Sequence, residues 1–218
     1  MYRGIKMIKQ AIIIIVVIFS SALSAHEFSW DNLLLSDAKL NPSYDYEVFV
    51  DAYMARYRKP VWNKYKNDEF ELEAKRQETI EIMKKRFEAF DLNQEFIINT
   101  TFEFGKYDFK QQFFPIDGIG ANSFFRQSKN WYGESVFPNS YAVYFINPEI
   151  VGNLPMEKDI AKAFIQDKKT SYGKVDRKLP AQIKFKITQK RGQTEFDATI
   201  TEITVYEKKK SSILAVFK

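Results

Sequence analysis

The sequence has no cysteine and a single histidine, His26, among 218 residues. The missing cysteine excludes disulfide scaffolds, thiolate metal sites, cysteine nucleophiles and the lipidated cysteine of a bacterial lipoprotein. One histidine excludes histidine-pair metal sites. Glycine (8) and proline (7) are sparse. That rules out collagen-like and low-complexity classes, and no stretch rich in Pro, Gly or Ser divides the chain into two domains. An excess of one charge is missing too. There are 33 Lys+Arg against 28 Asp+Glu, but Arg3, Lys6 and Lys9 fall in the first 25 residues, which hold no acid. The remainder, with 30 bases against 28 acids, lacks the basic face that nucleic acid requires.

Long apolar runs are absent except one. Ala11–Phe19 (AIIIIVVIF) follows the three bases and precedes the small residues of Ser20–Ala25 (SSALSA). This three-part order predicts a signal peptide over 1–25, cleaved between residues 22 and 26, and hence a periplasmic or secreted protein. The apolar stretch is too short to span a membrane comfortably, and no other run approaches that length, so no transmembrane span is expected after cleavage. A cysteine-free exported chain of this size can bury enough surface to fold without disulfides and suits a bacterial periplasm.

The rest, 26–218, reads as a single α+β domain: N-terminal helices, then an antiparallel sheet of about six strands with one inserted helix. His26–Leu40 reads as an ordered, irregular lead-in. Asn41-Pro42 predicts a helix start, and Tyr46, Phe49, Val50, Tyr53 and Tyr57 follow at helical spacing until Lys59-Pro60. A second helix is expected from Asn67 to Asp91, with Ile80, Met83, Phe87 and Phe90 inward. Glu71 with Lys75 and Glu81 with Lys85 would support its exposed face. From Glu95 the period becomes two, with Phe96, Ile98, Thr100, Phe102 and Phe104 on one face. Gly105-Lys106 predicts a tight hairpin returning through Tyr107–Phe113. Tyr141–Ile146 is a buried-type strand, and Met156–Lys169 a helix with Ile160, Ala163 and Phe164 inward. The C-terminal part predicts a meander. Ile183, Phe185 and Ile187, then Phe196, Ala198 and Ile200, alternate with polar residues. The parity then moves to Ile203 and Val205, which predicts a bulge near Thr201-Glu202.

Phe102–Pro115 (FEFGKYDFKQQFFP) and Tyr144–Pro148 (YFINP), with the charged helix before them, resemble a bacterial family of exported proteins with no assigned function. The likeness spans about two thirds of the chain. It implies a periplasmic location and an α+β fold, and it brings no catalytic residues with it.

Chemical motifs are few. His26, if it became the N-terminus, would offer an amine and an imidazole to copper, but the second histidine of such a brace is missing. Ser171–Lys174 and Ser36–Lys39 match S-x-x-K without the companion motifs of penicillin-recognising enzymes. Gly118-Ile119-Gly120 lacks the context of a phosphate loop. Glu103 and Asp108 would face each other across the predicted hairpin, the only pair suggesting glycan-cleaving acid–base chemistry. No catalytic residue, metal site or cofactor is assigned, and the chain is not expected to be an enzyme.

The segment that draws a binding reading is Pro115–Ser140, some 25 residues without clear period. Loops of that length in a small domain are uncommon and often functional, or they hide a short element. Phe124, Phe125, Arg126, Trp131, Tyr132 and Phe137 are its candidate binding residues, since aromatics beside cations suit anchoring a partner. The same rings would equally pin the loop to the sheet. The expected function is therefore a non-catalytic exported protein that binds a partner protein or a cell-envelope component. The alternatives are a carrier of a small apolar ligand and a carboxylate-dependent enzyme acting on glycans.

Overall fold

The computed structural model describes residues 25–131, 136–208 and 212–218. The leader expected over 1–25 lies outside these, apart from Ala25.

After a short strand β1 (His26–Glu27), the lead-in is a helix, α1 (Trp30–Leu40), not an irregular segment. Ser29 caps it, its Oγ accepting the Asn32 N–H at 3.3 Å. The helix escaped the periodicity argument because Leu33 through Ala38 are all buried, leaving no polar stripe to mark a period. Asn41 therefore closes α1, with its N–H on the Ala38 carbonyl, and does not open the next helix. That helix, α2 (Tyr46–Tyr57), is capped by Asp45, whose Oδ1 accepts from the Glu47 and Val48 N–H groups. Arg58 breaks the path, and Pro60 opens a further helix, α3 (Lys59–Tyr65), as proline in a first turn can. α4 (Glu69–Ala89) starts at the Asp68 cap and buries Ile80, Met83 and Phe87. Its ion pairs are i,i+3 (Lys75–Glu78, Arg76–Glu73, Lys84–Glu81), not the i,i+4 pairs expected.

β2 (Phe96–Phe104) alternates as read, with Phe96, Ile98, Phe102 and Phe104 buried. The tight hairpin after it does not form. The chain loops through a turn at Asp108–Gln112, makes β3 (Phe113–Phe114), and returns to β2 only at β4 (Ile116–Asp117). β3 instead pairs with β7 (Leu154–Pro155) in a separate two-stranded ladder. β5 (Phe124–Ser128) and β6 (Ser140–Phe145) follow. A 3-10 turn at Pro148–Ile150 leads through β7 to α5 (Lys158–Asp167). In α5, Ala161 and Phe164 face inward, whereas Ile160 is 58% exposed and Ala163 is exposed, which corrects the inward face read for this helix. β8 (Lys178–Lys190), β9 (Glu195–Tyr206) and β10 (Ile213–Phe217) complete the meander.

The main sheet has eight strands in the order β1-β2-β8-β9-β6-β5, with β4 joining β2 and β10 joining β9. It is mixed, not antiparallel throughout: β1 runs parallel to β2, and β6 parallel to β9. The sign for β6 was its continuous apolar run, the pattern of a strand enclosed on both faces, as parallel strands usually are. The expected bulge is present. Lys184 pairs with Glu202 and Phe185 with Ile200, leaving Thr201 between them.

One sheet face is packed and the other is open. α1 lies against β6 and β8, and α4 and α2 stack behind it. The rings of Phe96, Phe185, Phe196, Phe145 and Tyr141 fill the space beneath. α5 covers the far end of the same face, with Phe164 against Phe104 and Phe114. The opposite face carries polar pairs such as Gln182 with Asn99 (3.2 Å) and Lys184 with Glu202 (2.8 Å).

Candidate functional site

The Pro115–Ser140 segment holds a strand, and that strand sorts its aromatics. β5 pairs antiparallel with β6 from Phe124 opposite Tyr144 to Ser128 opposite Ser140. Successive residues of a strand point to opposite faces. Phe125 turns inward, its ring centroid 5.7 Å from that of Phe145. Phe124 and Arg126 turn to the open face and are exposed, Phe124 by 45%.

On that open face the outward residues form a row. The Arg126 guanidinium lies 5.1 Å from the Phe124 ring centroid. Phe124 lies 5.2 Å from Tyr144, and Arg191 sits 4.3 Å over the Tyr144 ring. Arg191 pairs with Asp197 at 3.5 Å, and the Tyr144 hydroxyl donates to Glu195 at 3.3 Å. The row thus sets two adjoining rings between two cations, then ends on two carboxylates, an arrangement in which each cation is held over a π face. β5 is also the last strand of the sheet, and among the described residues nothing pairs with its other edge. An unpaired edge presents backbone donors and acceptors in a line.

The other candidates serve the interior. Trp131 packs edge-on against Trp30 (4.5 Å), beneath the Arg56 guanidinium at 4.3 Å. Phe137 is 2% exposed, stacks on Phe49 at 5.3 Å and meets Trp30 edge-on. The Trp30 indole N–H donates to the Pro138 carbonyl at 3.1 Å, fastening the segment to α1. Tyr132 lies outside the described residues. The six candidates therefore do not form one surface: Phe124 and Arg126 face solvent, whereas Phe125, Trp131 and Phe137 anchor the segment. Sequence reasoning did not pick out Tyr144 and Arg191, which extend the outward row. Their signal was weak, because Tyr144 sits inside an apolar run and Arg191 in a turn.

Beneath this region lies a buried polar cluster that the sequence did not announce. Asp37 of α1 is 8% exposed. It pairs with Lys190 and accepts from the Tyr141 hydroxyl at 3.1 Å. Burial first, then the nearby Asp37 charge, pushes the Tyr141 phenol well above its ordinary range. Burial likewise raises Tyr44, whose hydroxyl is enclosed and has no hydrogen-bond partner among the described residues. Burial and the hydrogen bond to Asp31 raise Tyr57. A carboxylate held by a lysine and a phenol joins α1 to β6 and β8, as a structural tie between layers.

The remaining motifs resolve into structure. His26 stacks on Phe90 at 4.3 Å, and its Nε2 lies 2.9 Å from the Asp91 carbonyl. Ser36 is buried and donates to the Asn32 carbonyl, while Ser171–Lys174 is an exposed turn between bridged residues Lys169 and Val175. Glu103 faces Asp117 across β2 and β4, not Asp108. Asp108 caps a turn, its Oδ1 accepting from the Lys110 and Gln111 N–H groups. Among the described residues no helix is long and apolar enough to cross a membrane.

Neither the curated proteins nor the solved structures give a match to this chain. A family model described as a domain of unknown function, DUF4852, matches residues 45–167. That match runs from the Asp45 cap through α2 to α4, strands β2 to β7 and the aromatic segment to the end of α5, and it covers more than half of the chain, so the chain belongs to the DUF4852 family.

Proposed function

We propose that this is an exported, non-catalytic binding protein that takes an extended segment of a partner protein along the free edge of β5. The observation that carries the reading is the coincidence of an unpaired strand edge with an outward row of exposed ring and cation, Phe124 and Arg126. Strand addition draws affinity from the backbone and specificity from alternate side chains. Arg126 makes no ion pair among the described residues, so a segment bearing apolar and acidic side chains would complement it. The export half of the proposal rests on the three-part leader sequence.

Site-specific photo-crosslinking in intact cells tests the binding half. A crosslinker at Phe124 or Ser128 should trap a discrete partner, and Arg126→Glu should abolish the adduct. The same probe at Ile213, on β10, which pairs with β9 and not with β5, should not trap it. Equal capture from β10, or capture indifferent to Arg126→Glu, overturns the reading.

A further inference from the structure

A second site lies at the other end of the molecule. A groove of about 510 Å³ runs between α5 and the loop that follows β2. Its size falls in the range of small-molecule sites, ~300–1,000 Å³. Phe114 and Ala161, both buried, form its floor, and Tyr107, Phe109 and Ile165 its walls. Phe109 is the unusual member. It stands 73% exposed beside the groove, with its ring edge-on to Tyr107 at 5.1 Å. Leaving such a ring in water forgoes the gain that its burial would bring.

The polar inventory decides what fits. The Tyr107 hydroxyl is already donated to the Met156 carbonyl at 2.7 Å, so it offers its ring and not its oxygen. Gln166, exposed toward the end of α5, is the other uncharged polar side chain of the lining, so the floor and walls themselves bring no further donor to a ligand inside. Charge is confined to the rim, where Lys158 and Lys162 stand one turn apart on α5. Neither makes an ion pair among the described residues. Asp159, also on the rim, offsets one of the two and leaves a single net positive charge.

The geometry points to a site for one amphipathic monoanion: a single acyl chain lies in the groove against Phe109, Tyr107 and Ile165, and its carboxylate meets Lys158 and Lys162 at the mouth. This places a carrier activity on α5, away from the sheet face, where aromatic rings fill the space beneath the helices. It is independent of the β5 edge.

The test is a fluorescence titration of the full processed chain with cis-parinarate, and in parallel with its neutral methyl ester. The wild-type protein should bind the acid saturably at one site. Phe109→Ala should weaken both probes about tenfold, the loss expected for an aromatic wall worth ~1.4 kcal/mol. The double variant K158Q/K162Q should weaken the acid about tenfold and leave the ester unchanged. All three changes fall at exposed positions, and far-UV circular dichroism checks that the fold is kept. Phe124→Ala should bind parinarate as the wild type does, which separates this site from the strand edge. The proposal is overturned by the absence of saturable binding, by Phe109→Ala binding at full strength, or by equal loss of acid and ester in the lysine variant. A dimer that Phe109→Ala disperses, in a protein that takes up no parinarate, would overturn it as well and assign the groove to a second copy.

Discussion

Phe124 and Phe137 come from the same aromatic segment, have the same side chain, and are 45% and 2% exposed. Phe137 is held between Phe49 of α2 and Trp30 of α1, in the seam where two helices meet the sheet. Phe124 shares its strand with Phe125, which points inward, and the alternation of the pleat alone sends it to the open face. The difference lies in what stands across from each ring, a quantity that composition cannot report. A binding reading drawn from the whole segment therefore narrows to its outward residues, and the inward ones become a matter of stability.

That contrast can be broken or sharpened by substitution. The largest effect is expected at Phe137→Ala, which should cost about 3–5 kcal/mol, as large-to-small changes in a closed core do. Urea unfolding measures it, and a loss under 1 kcal/mol would mean that the Trp30 seam is not a core contact. Asp37→Ala, in the tie beneath the seam, should cost about 2–3 kcal/mol, because it strands the Tyr141 hydroxyl and the Lys190 ammonium together. Asp37→Asn, which keeps an acceptor for Tyr141, should recover part of that.

Alkaline titration addresses the same interior. Tyr44, Tyr57 and Tyr141 all hold their protons more tightly when folded, chiefly through burial. In the unfolded chain a tyrosine gives up its proton near pH ~10. Their contribution is thus fully present below that pH and is lost as pH rises further, since the unfolded state releases protons that the folded state keeps. Thermal unfolding followed from pH 8 to 11 should show a falling midpoint above about 10, and Tyr141→Phe should flatten the slope. Tyr44→Phe should go further and raise neutral-pH stability by about 1 kcal/mol, because it removes an enclosed hydroxyl that has no partner among the described residues. A destabilised Tyr44→Phe protein would show that this hydroxyl does find a bond in solution. The smallest stability effect is expected at Phe124→Ala, within about 0.5 kcal/mol. Its consequence should appear only in partner capture at β5.

Much of the fold was legible locally. The stripe through Val50 and Tyr53, the two-residue alternation of β2, and the parity change at Ile200 to Ile203 each follow from where one residue's neighbours along the chain must point. What failed locally failed for a common reason. α1 has no polar face to reveal a period, because sheet and helices surround it. The pattern after Gly105 predicts a hairpin, but Asp108 bonds its own following backbone, and Phe113-Phe114 finds β7 instead. The site divides in the same way. The sequence marked a segment rich in rings and cations, but it held no information on which ring would meet Trp30.

The sequence by itself determined an α+β chain without thiol or histidine-pair chemistry, most of its helices, and the alternation and bulge of its meander. These depend on composition and on the fixed geometry of helix and strand. The tertiary structure alone decided that β6 runs parallel to β9, that β5 is left at an open edge, that Asp37 meets Lys190 and Tyr141, and that Phe109 stands beside a groove on α5. Each of these joins residues far apart in the chain, and such contacts are selected by the packing of the whole core, which no local pattern of residues encodes.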